Sequence, residues 1–255
     1  AETARRAAVL LSGAGDWVGE YEAKYVYKDI ITDNEGLYEE GITVTKQLID
    51  IARQFSDSYR QIDGLASLGW LYLYTGQFDA ALVAIQQALH LLCEEEDKDP
   101  LLHAMVLRFL GRALFEQGHY GQARRNQEEA LAIYTEIGDN LRRAWVCNEL
   151  GDTLFAVRRY REATAYYDAC MQFAQETKDV VLTEWMHVDL ACIALSQGDL
   201  VEAERRLEQA RHMLSMYDNP EDQFDFHIAL ARLRLLQRDL RASPEELAHV
   251  AESAR

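Results

Sequence analysis

Residues 65–81 read Leu-Ala-Ser-Leu-Gly-Trp-Leu-Tyr-Leu-Tyr-Thr-Gly-Gln-Phe-Asp-Ala-Ala. The skeleton of that stretch is Leu68-Gly69, then Gly76-x-Phe78, then Ala81, and it returns three times. The second copy is Leu110-Gly111, Gly118-His119-Tyr120 and Ala123, and the third is Leu150-Gly151, Arg158-Arg159-Tyr160 and Ala163. The fourth is Leu190-Ala191, Gly198-Asp199-Leu200 and Ala203. Counted from Gly76 the steps are 42, 40 and 40 residues, and the spacing from residue 69, 111, 151 or 191 to its turn residue is always seven. Self-similarity at this period marks stacked supersecondary units, each burying its apolar face only against its neighbours.

Each copy divides into two helices. Apolar residues at three- and four-residue steps, such as Leu65, Leu68 and Tyr72 or Leu107, Leu110 and Leu114, predict first helices over 60–74, 101–117, 141–157 and 180–197. Second helices are expected over 78–93, 120–137, 160–177 and 200–216. Gly76, Gly118 and Gly198 supply the turn between them, because glycine accepts a positive φ without steric cost. Arg158 breaks that pattern, so the third turn must close differently or carry strain. Polar breaks at 94–100, 138–140, 178–179 and 218–222 separate the copies. Gly69, Gly111, Gly151 and Ala191 face Ala81, Ala123, Ala163 and Ala203 in this scheme, and small side chains let the paired backbones approach closely.

These residues resemble the tetratricopeptide repeat family. The first copy supplies Leu65, Leu68, Gly69, Tyr72, Gly76, Phe78, Ala81, Ile85 and Ala88 in the family's order. The 40–42-residue step resembles the long-repeat variety of kinesin light chains and of sensor arrays in bacterial signal-transduction ATPases. The resemblance implies an all-α, right-handed superhelical solenoid of antiparallel helix pairs, with five to six repeats and degenerate ends. One solenoid is expected over 1–255: degenerate helices in 1–35, a partial repeat in 36–59, four clear repeats in 60–219, and a degenerate repeat with cap in 220–255. Within this, 1–12, 17–31 and 37–55 are expected as helices, as are 224–236 and 244–254; Arg238-Asp239-Leu240 echoes Gly198-Asp199-Leu200. The fraying at both ends suggests a piece excised from a longer protein.

Composition narrows the function. With 43 acidic residues against 26 Lys and Arg the net charge is −17, which argues against a nucleic-acid or anionic-membrane ligand. Two readings of the charge stand side by side: solubility for a long apolar stack, or attraction of a basic partner. The four cysteines (Cys93, Cys147, Cys170, Cys192) show no CxxC; Cys170 shares a small-residue slot with Ala130 and Ala210. That usage suits a reducing, cytoplasmic compartment, and no signal peptide or apolar run of spanning length is present.

No catalytic pattern emerges. Gly13-x-Gly15 with Gly19 lacks the Lys-Ser/Thr and βαβ context of a phosphate loop. His187 and His227 share a repeat phase rather than a ligand spacing, and the acidic run 94–97 lacks the alternation of a calcium loop. The expectation is a non-enzyme with no cofactor and no metal.

In the family the first helices line a concave groove that contacts the ligand. Carried over by position, the resemblance places Asp63, Ala66, Trp70, Leu73 and Tyr74 there, then Met105, Arg108, Arg112, Phe115 and Glu116. Trp145, Asn148, Asp152 and Phe155 follow, then Trp185, Val188, Cys192 and Leu195. The site residues singled out are Trp70, Tyr74, Arg108, Arg112, Trp145, Asn148, Asp152 and Trp185. Trp and Arg are the side chains that most often anchor binding energy. Arg108 and Arg112, one turn apart, can clamp a carboxylate or carbonyl, and Asn148 can donate and accept at once toward an extended main chain. Against this stand structural roles: Asp152 pairing with Arg112, and the tryptophans packing between first helices. The expected function is protein or peptide binding inside a signalling or regulatory protein. The alternatives are a sensor for a small-molecule inducer in a signal-transduction ATPase or transcription regulator, and a self-associating scaffold.

Overall fold

The computed structural model describes residues 1–34, 36–215 and 223–237. Among them are twelve α-helices and no strand. The chain divides into two compact units, Ala1–Ile137 and the part beginning at Gly138. The first unit holds α1 (Glu2–Gly13), α2 (Trp17–Asp29), a π-helical turn (Ile30–Asn34), α3 (Tyr38–Gln54), α4 (Ser58–Tyr74), α5 (Phe78–Glu94), α6 (Pro100–Glu116) and α7 (Tyr120–Ile137). The second holds α8 (Asn140–Ala156), α9 (Tyr160–Thr177), α10 (Val180–Gln197), α11 (Leu200–Leu214) and α12 (Gln223–Leu236). Helix pairs α4/α5, α6/α7, α8/α9 and α10/α11 are the four copies read from the sequence, with bounds within two residues of those expected. The fold class is all-α, a TPR-like helical repeat. The polar break at 218–222, the echo at 238–240 and the final helix at 244–254 lie outside the described residues.

Two kinds of turn repeat. Inside each copy the first helix ends in a left-handed residue, with φ of 71° at Gly76, 78° at Gly118 and 80° at Gly198. The two following N–H groups fold back: Gly76 N donates to Leu73 O and Gln77 N to Tyr72 O, as Gly118 N does to Phe115 O and His119 N to Leu114 O. This satisfies carbonyls that the helix end leaves open. Arg158 makes the same turn, with φ of 60° and the same donations, to Phe155 O from its own N–H and to Leu154 O from that of Arg159. Of the two alternatives for the third turn, strain is the one realised.

The second kind of turn opens each first helix, and here an aspartate does the work. Asp57, Asp99, Asp139 and Asp179 each accept a hydrogen bond of 2.9 Å from the backbone N–H three residues on. Asp16 does the same for Gly19 at 3.0 Å, which makes the glycine-rich stretch near residue 15 an ordinary capped helix junction. The N-cap ladder satisfies orphan donors at five helix starts.

Close approach of paired helices follows from their small residues. A Cβ on Gly111 would lie 2.7 Å from Gln127 Cγ and 3.2 Å from Ala123 O. One on Gly151 would collide with the Tyr167 ring, and one on Gly69 with Ile85. Ala81, Ala123, Ala163 and Ala203 are fully buried opposite them, as is Cys170 with Ala130 and Ala210. Burial pushes the Cys170 thiol far above its ordinary range and Cys147 up to about 11, so both behave as small hydrophobes.

The N-terminal part of the first unit departs from the repeat. Trp17 stacks on Phe55 with centroids 4.6 Å apart, and Arg60 ties α2 to α4 through Glu22 (2.8 Å) and Asp57 (2.7 Å). The π-helical turn tucks Thr32 against α3, where a Cβ at Gly41 would strike the Thr32 methyl. That contact explains why Gly41 stands where later copies carry Ala.

Candidate functional site

The faces expected to bind are described unit by unit. In the first, α4 and α6 present Trp70, Tyr74, Arg108 and Arg112, of which Tyr74 is the most exposed at 57%. Trp70 stacks on Phe109 (4.7 Å, 20° between planes) and meets Tyr74 edge-on at 5.2 Å; Tyr74 in turn stacks on Tyr38 at 5.2 Å. The Arg108 guanidinium lies 5.2 Å from the Trp70 centroid, a cation–π contact. Arg112 pairs with Glu116 along its own helix at 2.7 Å and lies over Phe115. The aromatic row continues into a cavity of about 420 Å³ lined by Lys28, Asp29, Thr32, Tyr38, Ser67, Trp70, Leu71, Tyr74 and Phe109.

Charge in this cavity comes from α2. Lys28 is 7% exposed, with its ammonium 2.6 Å from Asp29 and 4.1 Å from the Tyr25 ring centroid. An ammonium this deep needs such partners, since a lone buried charge is costly. Burial raises the Asp63 carboxyl above its ordinary value, with Lys28 pulling it down and Asp29 and Glu22 pushing it up. Lys28 is therefore paired with Asp29 and within electrostatic reach of Asp63.

In the second unit Trp145 and Trp185 meet edge-to-face at 5.8 Å, joining α8 to α10. Tyr167 crosses beneath Gly151 and donates its hydroxyl to Asp152 Oδ1 at 2.9 Å. Asn148 Nδ2 makes a long 3.4 Å donation to Asp189 Oδ2. Burial holds Asp189 well above the usual carboxylate range, and the charges of Asp152, Asp225 and Glu184 push the same way. This face is thus aromatic with carboxyl groups, Asp189 being held toward its neutral form, and the face of the first unit is aromatic with two arginines.

The tryptophans do pack between adjacent first helices, and all three keep part of their surface open. Three residues assigned to the groove by position belong instead to the core: Ala66 is 0% exposed, and Val188 and Leu195 are each 4% exposed. They share their repeat positions with half-buried residues of the middle copies, Ala66 and Val188 with Arg108 and Asn148, and Leu195 with Phe115 and Phe155. The position passed over is the next one in phase, held by Ser67, Phe109, Glu149 and Asp189, of which Phe109 and Glu149 are buried. Lys28, Asp29, Thr32 and Tyr38 were beyond reach of the repeat phase, because they come from the irregular N-terminal segment.

A stack of capped helix pairs with an aromatic and charged stripe on its first helices defines a helical repeat protein built on TPR-like units. The family model of the MalT-like TPR region matches residues 39–255, and the chain belongs to that family. No curated protein matches it significantly. Among solved structures it is similar to BtubC from P. vanneervenii, at 21% identity over 86% of this chain and 90% of that one, with a TM-score of 0.66. The apo form of RapI is similar at 14% identity over 92% of this chain and 84% of that one, with a TM-score of 0.72. A signal-transduction ATPase with numerous domains and a tetratricopeptide repeat sensor, from Pyrococcus horikoshii, is similar at 16% identity. That match covers 97% of this chain and 40% of the other, with a TM-score of 0.64. At these identities the likeness is one of fold. No described helix is long and apolar enough to cross a membrane.

Proposed function

We propose that the chain is a non-catalytic recognition module whose first-helix faces bind a polypeptide segment of a partner. The TPR-like fold is typical of protein-interaction modules, and the observation that carries the reading is the stripe itself. Trp70, Tyr74, Arg108 and Arg112 in one unit, and Trp145, Asn148, Asp152 and Trp185 in the other, stay partly open on helices whose other faces are buried. Rigid aromatic and arginine side chains anchored by their neighbours lose little entropy on binding, which favours recognition. An acceptor at Asp152 suits a segment rich in N–H donors or basic side chains, in keeping with the net charge of −17.

Photo-crosslinking tests the location. A benzophenone amino acid at Tyr74 is expected to capture peptides selected from a random library, and the same group at Val83, which is 54% exposed on a second helix, is expected not to. Equal capture at both positions overturns the reading.

A second reading has one specific support. The likeness to the Pyrococcus horikoshii protein, a signal-transduction ATPase with a tetratricopeptide repeat sensor, covers nearly all of this chain and 40% of that larger one. On that basis the chain serves as the ligand-sensing part of a larger cytoplasmic regulator. A nucleotide-binding domain in the same reading frame supports it, and its absence there counts against it.

A further inference from the structure

The cavity of the first unit has a chemistry that peptide recognition does not require. Four of its nine lining residues are aromatic: Tyr38, Trp70, Tyr74 and Phe109. Their mutual contacts, at 4.7–5.2 Å between centroids, fix the rings before any ligand arrives. Among the described residues of the lining, Lys28 and Asp29 are the charged ones. The Lys28 side chain is 9% exposed and already engaged by Asp29 and the Tyr25 ring, whereas the Asp29 side chain remains 44% exposed. Arg108 lies over Trp70 without lining the cavity, so the indole is already engaged by a cation.

We propose that this cavity binds a small organic cation bearing a quaternary ammonium group, surrounded by Tyr38, Trp70, Tyr74 and Phe109 and balanced by Asp29. Aromatic rings attract such a group through their negative faces, most strongly where water is excluded. A primary ammonium brings three N–H donors that rings satisfy poorly, and a quaternary one brings none. The volume of about 420 Å³ lies within the ordinary range for small-molecule sites and leaves room for the substituent that carries the charge. The π-helical turn builds the wall: Ile30–Asn34 places Thr32 in the lining, and Thr32 Oγ1 donates back to Lys28 O at 2.9 Å. Such insertions gather at functional sites.

The test uses three probes on the whole chain: choline, its neutral isostere 3,3-dimethyl-1-butanol, and Nα-acetyl-Nε-trimethyl-lysine amide. Titration calorimetry is expected to show saturable choline binding with the isostere at least about tenfold weaker, since only charge distinguishes them. Asp29→Asn and the surface change Tyr74→Ala are each expected to weaken choline about fivefold or more, with helicity unchanged by circular dichroism. Tighter binding of the lysine derivative than of choline assigns the cation to a modified polypeptide side chain, and the reverse order to a free metabolite. Equal binding of the isostere, indifference to Asp29→Asn, or no saturation by either ammonium probe below about 20 mM overturns the inference. The inference does not rest on the peptide reading, which is tested separately at Arg112 and Asn148, residues outside the cavity lining.

Discussion

Arg158 and His187 are single residues at which this chain departs from its own repeat, and each has a physical consequence. Arg158 holds φ of 60° in a turn that three glycines make elsewhere. The left-handed conformation costs a side-chain-bearing residue about 1–2 kcal/mol, and part of that is offset because glycine is freer in the unfolded chain. Arg158→Gly should therefore stabilise the fold by up to about 1 kcal/mol, read as a higher urea midpoint. His187 occupies the core position filled by Leu65 and Leu107 in the first two copies, is 6% exposed, and has its Nδ1 buried without a hydrogen-bond partner. Burial, with the charges of Arg206 and Arg205 outweighing that of Glu202, lowers its pKa from 6.5 to about 4. The unfolded chain therefore binds the proton first, so stability present above pH 6.5 is lost as the pH falls toward 4. The loss amounts to about 2–3 kcal/mol from this group. His187→Leu should flatten the difference in unfolding free energy between pH 7 and pH 4.5 by about 2 kcal/mol; an unchanged difference would show the ring accessible to protons.

At the scale of elements, the aspartate N-caps organise the stack as much as the Leu-Gly pairs do. Asp139 illustrates the electrostatics: burial raises its carboxyl, yet the backbone N–H and guanidinium of Arg142 outweigh burial and hold it below 3.8. Asp139→Ala should cost about 1 kcal/mol in unfolding free energy, and Asp139→Asn much less, because asparagine caps nearly as well. The deficit of the alanine variant should shrink as the pH falls through the depressed pKa, where the wild type loses the same interaction. Much of this layer was legible in the sequence. The period of Leu-Gly and Gly-x-aromatic placed both helices of all four copies because each signal reports a steric need, a close approach or a left-handed turn. The caps at 57, 99, 139 and 179 obey the same period and passed unread, since aspartates between repeats look like solvated loop residues. The site was less legible. Repeat phase located Trp70, Tyr74 and the arginines, but the same positions hold the buried Ala66, Val188 and Leu195 in other copies, and phase did not single out Phe109 and Asp189. Tyr167 as the partner of Asp152 could not be foreseen, because it depends on the ring passing under Gly151.

For the whole molecule, two compact units carry different faces: aromatic rings with Arg108 and Arg112 in the first, and tryptophans with Asn148, Asp152 and Asp189 in the second. A net charge of −17 adds long-range attraction for basic partners, which speeds encounter more than it strengthens the complex. The most direct test of recognition through the first helices is titration calorimetry of library-selected peptides against the wild type, Arg112→Ala and Asn148→Ala. The proposed function predicts a loss of affinity of about tenfold or more, with unchanged helicity, in Arg112→Ala for peptides held by the first unit and in Asn148→Ala for those held by the second, as expected for residues that anchor a ligand. Peptides that bind both variants as tightly as the wild type would contradict it.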